Sequence, residues 1–275
     1  MAKAFSIASW NVEHFKGDPT RSSCVIDFLK AQKPDVIGIY EVEGSKVITE
    51  VTEKFPKYTF QITEGRESQE ILVGFKSTLS VFITQRLEFK SGTTHMRPGL
   101  LATIMVEGKP YSILFLHLAS SDTPRGFGLR DDMAIRAIKF RKALDKAVGD
   151  QANYIFLGDL NTMGLNYPYQ SDIDPATEIK RWDHRATVYY DMRRLSKTHD
   201  VTFSNGSGSS IPDSNLDHVY ASKHLRFKMF QRPAGGKAEV AVRGWVDKES
   251  VDERDQWIER YSDHCLLYLE VQKIK

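Results

Sequence analysis

Cysteine is nearly missing from this 275-residue chain: Cys24 and Cys265, one near each end, are the only two. That spacing fits neither a disulfide framework nor a zinc site and implies two buried free thiols. Long apolar runs are missing as well, and nothing approaches the length of a membrane span. The opening residues are interrupted by Asn11, Glu13 and His14 too early for a secretory signal. Together these absences lead us to expect a cytoplasmic protein. Net charge is low, +2, so attraction to a polyanion must come from a local patch rather than from a global field. With no internal repeat and no long linker, residues 1–275 are expected to form one domain.

The chain does contain short apolar segments separated by polar turns. Strands are expected at Ala4–Trp10, Val36–Tyr40, Tyr58–Ile62, Glu70–Phe75, Leu79–Thr84, Leu100–Val106, Tyr111–Leu116, Asn153–Leu157, Leu216–Ala221, Arg226–Phe230 and Cys265–Val271. Amphipathic spacing predicts helices over Ser22–Gln32, Gly44–Phe55 and Asp131–Val148. The stretch from Asn166 to Ser214 reads as polar, aromatic and irregular. Strands with helices between them, including one hairpin at Glu107–Pro110, point to a mixed α/β layered sandwich.

Polar residues recur where these strands end. Gly158-Asp159-Leu160-Asn161 closes a buried run with a carboxylate and a carboxamide, a pairing suited to hard cations and phosphate. Asn11 follows the first strand, Glu41 the second and His117 the hairpin's return strand. Asp217-His218 opens a later strand, and Asp263-His264 precedes the last. A phosphodiester repels nucleophiles, so a cation that neutralises its charge and imidazoles able to exchange protons near neutral pH suit its hydrolysis.

Six pieces carry a resemblance: Ser9–Val12, Pro34–Glu41, Leu116–Leu118, Gly158–Asn161, Leu216–His218 and Ser262–His264. In this order they resemble the endonuclease/exonuclease/phosphatase superfamily, the fold of pancreatic deoxyribonuclease. The resemblance implies a four-layer α/β/β/α sandwich with two packed mixed β-sheets flanked by helices. It also implies hydrolysis of phosphate esters with Mg²⁺, for which Mn²⁺ can substitute. Position by position it implies Glu41 as principal metal carboxylate, with Asn11 beside it and Asp263 on the metal side. Asp159 and Asn161 would orient the attacking water and hold a phosphate oxygen. His264 would be general base or phosphate-stabilising imidazolium, held by Asp217, and His117 would protonate the leaving oxygen. Arg97, in His95–Gly99, would contact phosphate.

Three departures stand out. Tyr40 replaces the family's usual glutamine, Gln69 or Glu70 falls where a glutamate partners the acid histidine, and His218 has no assigned role. A nucleic acid substrate calls for basic and aromatic residues near the site. Arg125 and Arg130 supply such charge after His117, with Arg130 expected to bind substrate. Lys180, Arg181, Trp182, Arg185, Tyr189, Tyr190, Arg193 and Arg194 do so in the later irregular stretch, and Arg243-Gly244-Trp245 beyond it. The expectation is a metal-dependent nuclease, cutting internally as an endonuclease. The alternatives are a phosphatase or sphingomyelinase-like phosphodiesterase, and a non-enzymatic binding module.

Overall fold

The computed structural model describes residues 2–64, 69–94 and 96–274. The chain begins with β1 (Lys3–Lys16), α1 (Pro19–Ala31), β2 (Val36–Glu43), α2 (Ser45–Lys54), β3 (Tyr58–Ile62), β4 (Glu70–Lys76) and β5 (Ser80–Arg86). Next come β6 (Gly99–Val106), β7 (Lys109–His117), α3 (Pro124–Val148), β8 (Asn153–Asp159), α4 (Pro175–Tyr189), β9 (Met192–Arg194) and β10 (Asp217–Ser222). The chain closes with β11 (Phe230–Gln231), β12 (Lys237–Ala238), β13 (Ala241–Arg243), α5 (Val251–Arg260) and β14 (Leu266–Gln272). One six-stranded sheet has the order β13-β14-β1-β2-β4-β3 and the other β5-β6-β7-β8-β10-β9; β11 and β12 form a small separate ribbon.

Alternation along the strands builds the layers. In β7, Tyr111, Ile113 and Phe115 join the core between the sheets, whereas Leu114 and Leu116 pack with α3 and α4 on the outer face. β8 does the same, sending Ile155 and Leu157 inward and Tyr154 and Phe156 outward. On the first sheet Trp10 turns outward against Phe28 of α1 and Trp257 of α5. The sheets approach closely where a Cβ on Gly38 would lie 2.7 Å from the Phe115 ring. Helices outside two packed mixed sheets give the four-layer sandwich.

The differences from expectation have local causes. β1 runs on to Lys16 because Phe15 and Lys16 resume pairing with Val42 and Glu43 after a register shift, through left-handed residues at Glu13 and His14. α3 starts at Pro124 rather than Asp131: Thr123 caps it, and Gly126 lies so near the carbonyls of Ser120 and Ser121 that a Cβ would come within 2.6 Å. The stretch read as irregular contains α4, with Asp174 as cap, Pro175 in the first turn and Ile179, Trp182 and Ala186 buried at helical spacing. Arg226–Phe230 is not a continuous strand; Phe227 makes an isolated bridge to Val271, and only Phe230–Gln231 pairs with Lys237–Ala238. Cys265 is buried but Cys24 is partly exposed, its sulfur accepting from Arg260 Nε at 3.1 Å. No helix among the described residues is long and apolar enough to cross a membrane.

Candidate functional site

Register assembles the site. Parallel pairing of β7 with β8 sets His117 opposite Asp159, and antiparallel pairing of β8 with β10 sets Asp159 opposite Asp217. These three side chains share the parity of Phe115, Leu157 and Val219, so they face the gap between the sheets at one end of the sandwich. Asn11 enters from β1 with the same inward parity as Phe5 and Ile7. Strict alternation would turn Glu41 outward with Ile37 and Ile39. Instead its φ of 61° and the register shift between Ile39 and Val42 swing the carboxylate into the gap. A left-handed glutamate is an uncommon, strained choice, of the kind that concentrates at working sites.

The groups converge. Asn11 Nδ2 donates to Glu41 Oε1 at 3.0 Å and to Asp159 Oδ2 at 2.9 Å, while its Oδ1 accepts from the Glu13 amide. His117 Nε2 lies 3.5 Å from Asp159 Oδ2 and 3.8 Å from Glu41 Oε1. His264 Nδ1 bonds Asp217 Oδ2 at 2.8 Å, and its Nε2 faces Asp159 Oδ2 at 3.8 Å. Ligand atoms of Glu41, His117 and Asp159 all fall within 4.8 Å of one another, as do those of Asp159, Asp217 and His264. Asn161 lies past the strand end with φ 51°; its amide donates to Asp159 Oδ1 and its Nδ2 to the Leu118 carbonyl. Gly158 is required here, because φ is 141° and a Cβ would sit 1.9 Å from the Leu116 carbonyl oxygen.

Crowded negative charge shapes the titration. Burial, with Asp217 and Glu41 nearby, pushes Asp159 up to about 7 despite the opposing pull of His264 and the Asn11 hydrogen bond. Burial works against a charged His264, but Asp217 and Asp159 outweigh it and raise the imidazole to about 10. Burial, then the charges of Arg97 and His264, hold His117 well below its ordinary value, and its buried Nδ1 has no hydrogen-bond partner among the described residues.

Not every expected residue joins. Arg130 is the clear correction: it is fully buried, its Nε bonds Glu178 at 2.7 Å, and its other nitrogens are taken by Glu178 and by the carbonyls of Ala119, Ser121 and Gly164. Such a guanidinium holds loops together and cannot reach substrate. Asp263 is in neither cluster; its Oδ1 accepts from Ser262 Oγ at 3.3 Å, and burial, aided by Glu13 and Glu41 against His264, lifts it to about 6. Trp182, Arg193 and Arg194 are likewise committed, to Asp131, Glu239 and Asp183. His95 lies outside the described residues.

Arg97 does reach the centre, through Gln69. It donates to the Gln69 side chain at 2.6 Å, and Gln69 Nε2 donates to Glu41 Oε2 at 3.0 Å. Gln69 is therefore the member of the Gln69-Glu70 pair that touches the site. Glu70 instead meets Thr63. Tyr40 fills the gap between the sheets, bonding Ser9 Oγ and the Leu157 carbonyl beneath His117. His218 serves the loops, with Nε2 against Thr162 Oγ1 and the Asn215 carbonyl. Sequence reasoning missed Phe203, whose ring packs 5.0 Å from His264 and which lies in the stretch with no periodicity to announce it. It also missed His14, whose Nδ1 lies between Glu43 and Gln69.

A profile of the Endonuclease/Exonuclease/phosphatase family matches residues 8–264. No curated protein sequence matches the chain significantly. Among solved structures, TDP2 from D. rerio, complexed with single strand DNA product, is similar at a TM-score of 0.68 and 17% identity, covering 98% of this chain and 99% of that one. The human nocturnin catalytic domain with bound sulfate anion is similar at 0.63 and 12%, covering 98% and 93%. A mannosyl-6-phosphatase from Bacteroides thetaiotaomicron is similar at 0.60 and 13%, covering 98% and 100%. At such identities the likeness is one of fold.

Proposed function

From the premise that this chain belongs to the Endonuclease/Exonuclease/phosphatase family, whose members are phosphoric ester hydrolases, we propose that it is a divalent-cation-dependent phosphodiesterase acting on nucleic acid. The observation carrying this reading is the convergence of Glu41, His117, Asp217 and His264 on Asp159, in two groups of ligand atoms at one end of the gap between the sheets. Arg97 adds positive charge one residue removed from Glu41 and felt at His117, its Nε and Nη2 being bonded to Gln69. The single strand DNA held by a protein of the same fold also favours a nucleic acid.

The donor set fits Mg²⁺ or Mn²⁺. Glu41 and Asp159 present hard carboxylate oxygens, and one or two carboxylates are what Mg²⁺ prefers. The raised Asp159 marks negative charge that a cation would offset. Glu41 would hold the ion, with Asp159 beside it and Asn11 pinning both carboxylates. When bound, such an ion neutralises the charge of the phosphate and of its transition state.

The rest is the work of the chain. Asp217 accepts the Nδ1 proton of His264 and so fixes Nε2–H toward the Asp159 side of the cleft. Held protonated, His264 stabilises negative charge gathering on the phosphoryl oxygens and holds a proton for the leaving oxygen. Asp159 receives a hydrogen bond from the attacking water, and the Asn161 amide fixes the carboxylate that does so. His117, kept neutral, offers a hydrogen bond and no extra charge.

The test compares the protein with its His264→Ala variant on a linear single-stranded oligonucleotide, bis(p-nitrophenyl) phosphate and p-nitrophenyl phosphate, each with Mg²⁺, Mn²⁺ or chelator. Metal- and His264-dependent loss of the oligonucleotide is expected. Phosphate release from the monoester alone, with the oligonucleotide intact, would replace this reading with a phosphatase.

A further inference from the structure

A cleft of about 450 Å³ lies between α3 and α4, apart from the catalytic cluster, and its lining includes Asp131, Lys180, Arg181, His184, Arg185 and Tyr189. Three cations there face one carboxylate, a local surplus as large as the +2 of the whole chain. Helical spacing brings them together. Lys180 and His184, and likewise Arg181, Arg185 and Tyr189, recur every four residues along one side of α4, whereas Ile179, Trp182 and Ala186 are buried. From Lys180 to Tyr189 the row runs about 13 Å along the helix.

The nearby acids leave this charge in place. Asp131 accepts from Trp182 Nε1 at 2.9 Å and reaches Arg181 only at 3.4 Å. Asp183 is turned to Arg194 and Tyr220, and Glu178 is buried against Arg130. Lys180 and Arg185 have no carboxylate partner among the described residues. Rings accompany the cations. Tyr189 is 59% exposed, with His184 edge-on to it at 6.0 Å, and Lys142 of α3 lies 4.9 Å over the adjacent Tyr190. Contacts link the cleft to the catalytic end of the molecule as well. Arg181 lies 5.5 Å over Phe127, which follows Gly126 and Arg125 in the wall of a smaller cleft shared with Arg97.

On the nucleic acid reading above, we propose that the α3–α4 cleft is a second, non-catalytic binding site that holds the backbone of a single-stranded nucleic acid away from the scissile phosphate. Lys180, Arg181 and Arg185 take successive phosphates, and the exposed Tyr189 ring stacks a base. The 13 Å row spans several nucleotides at the roughly 3.4 Å spacing of a stacked strand. Cations interleaved with rings suit such a strand, because every base has a π-face and every linkage a charge. An acidic peptide would use the cations and leave the rings idle. A lipid surface calls for a broad exposed apolar face, whereas this is a cleft walled by charge. A substrate long enough to occupy both sites is then held at two points, and a small diester at one.

The experiment follows the anisotropy of a fluorescein-labelled single strand of about 20 nucleotides on the full chain, with chelator to keep the strand intact, from about 50 to 200 mM salt. A Lys180→Ala/Arg185→Ala variant should bind about tenfold or more weakly at about 100 mM salt, and the slope of log K against log salt should shrink by about 1.4, two phosphate contacts' worth. Lys180→Arg/Arg185→Lys should retain that slope, and Tyr189→Ala should weaken binding about fivefold with the slope unmoved. With Mg²⁺, KM for the strand should rise in the double alanine variant by a factor similar to its loss of binding, taken relative to that variant's own KM for bis(p-nitrophenyl) phosphate. Unaltered affinity and slope in that variant would overturn the second site, while Mg²⁺-dependent cleavage of the strand left the nuclease reading standing. A strand neither bound nor cleaved would overturn both. Polyglutamate or phosphatidylserine vesicles held more tightly than the strand, through Lys180 and Arg185, would overturn the nucleic acid and put that partner in its place.

Discussion

At the scale of single residues, the charge state of the cleft turns on Asp217. It holds His264 by a hydrogen bond and by its charge, and with Asp159 it raises the imidazole to about 10. Asp217→Asn keeps a polar partner but removes the charge, so the imidazole falls toward its ordinary value and loses its proton at lower pH. Where protonated His264 is needed, activity is present below its pKa and lost above it. The alkaline limb of kcat/KM on bis(p-nitrophenyl) phosphate should therefore move to lower pH in the variant, with a loss of about 100-fold at the optimum. An unmoved limb would show that another group titrates. Most of these residues were legible because chemistry restricts them: a carboxylate, a carboxamide or an imidazole ending an apolar run is conspicuous. Arg130 was misread because an arginine looks the same in sequence whether its guanidinium meets solvent or a buried glutamate.

At the scale of elements, Arg130 acquires its actual work. It joins α3 to Glu178 of α4 and to the loops at Ala119, Ser121 and Gly164, with the guanidinium and the Glu178 carboxylate both shut off from solvent. Burial raises the Glu178 carboxyl even with the guanidinium beside it. Arg130→Ala should cost about 3–5 kcal/mol in denaturant unfolding, because an unpaired carboxyl would remain buried. A substrate-binding arginine would instead raise KM at unchanged stability.

Asp35, just ahead of β2, makes a second junction, where its carboxylate takes Lys3 and the Ser6 amide and hydroxyl from β1 and Lys76 from β4. Burial opposes its ionisation, but these partners outweigh burial and lower it from 3.8 to about 2. A depressed carboxyl stabilises fully above 3.8, and that contribution is lost as pH falls through about 2. Asp35→Asn should cost about 1 kcal/mol at neutral pH, allowing for solvent screening of the half-exposed partners. Unfolding midpoints should converge with the wild type in strong acid. Strands such as Tyr58–Ile62 were readable from alternation alone. The helix Pro175–Tyr189 had its cap and its buried spacing in plain view, but a sequence dense in charge and aromatics masked them.

At the scale of the whole molecule, the site is a seam. Glu41 and Asn11 come from the first sheet, and His117, Asp159 and Asp217 from the second. A cation held by Glu41 and Asp159 would therefore tie the two sheets together as well as serve chemistry. Mg²⁺ at about 100 times its Kd should stabilise the fold by about 2.7 kcal/mol, seen as a rise in Tm. Glu41→Gln should abolish that rise. A Tm indifferent to Mg²⁺ and Mn²⁺ would argue against binding across the seam.

By itself the amino-acid sequence determined the layered α/β class, the family resemblance and the candidates for the reactive groups. These follow from local periodicity and from the scarcity of side chains suited to phosphate chemistry. Only the tertiary structure decided that Glu41 turns inward, that Gln69 rather than Glu70 meets it, and that Arg130 is spent on Glu178. Those outcomes depend on register shifts, a left-handed backbone angle and contacts between segments far apart in the chain, where one-dimensional order carries no distance.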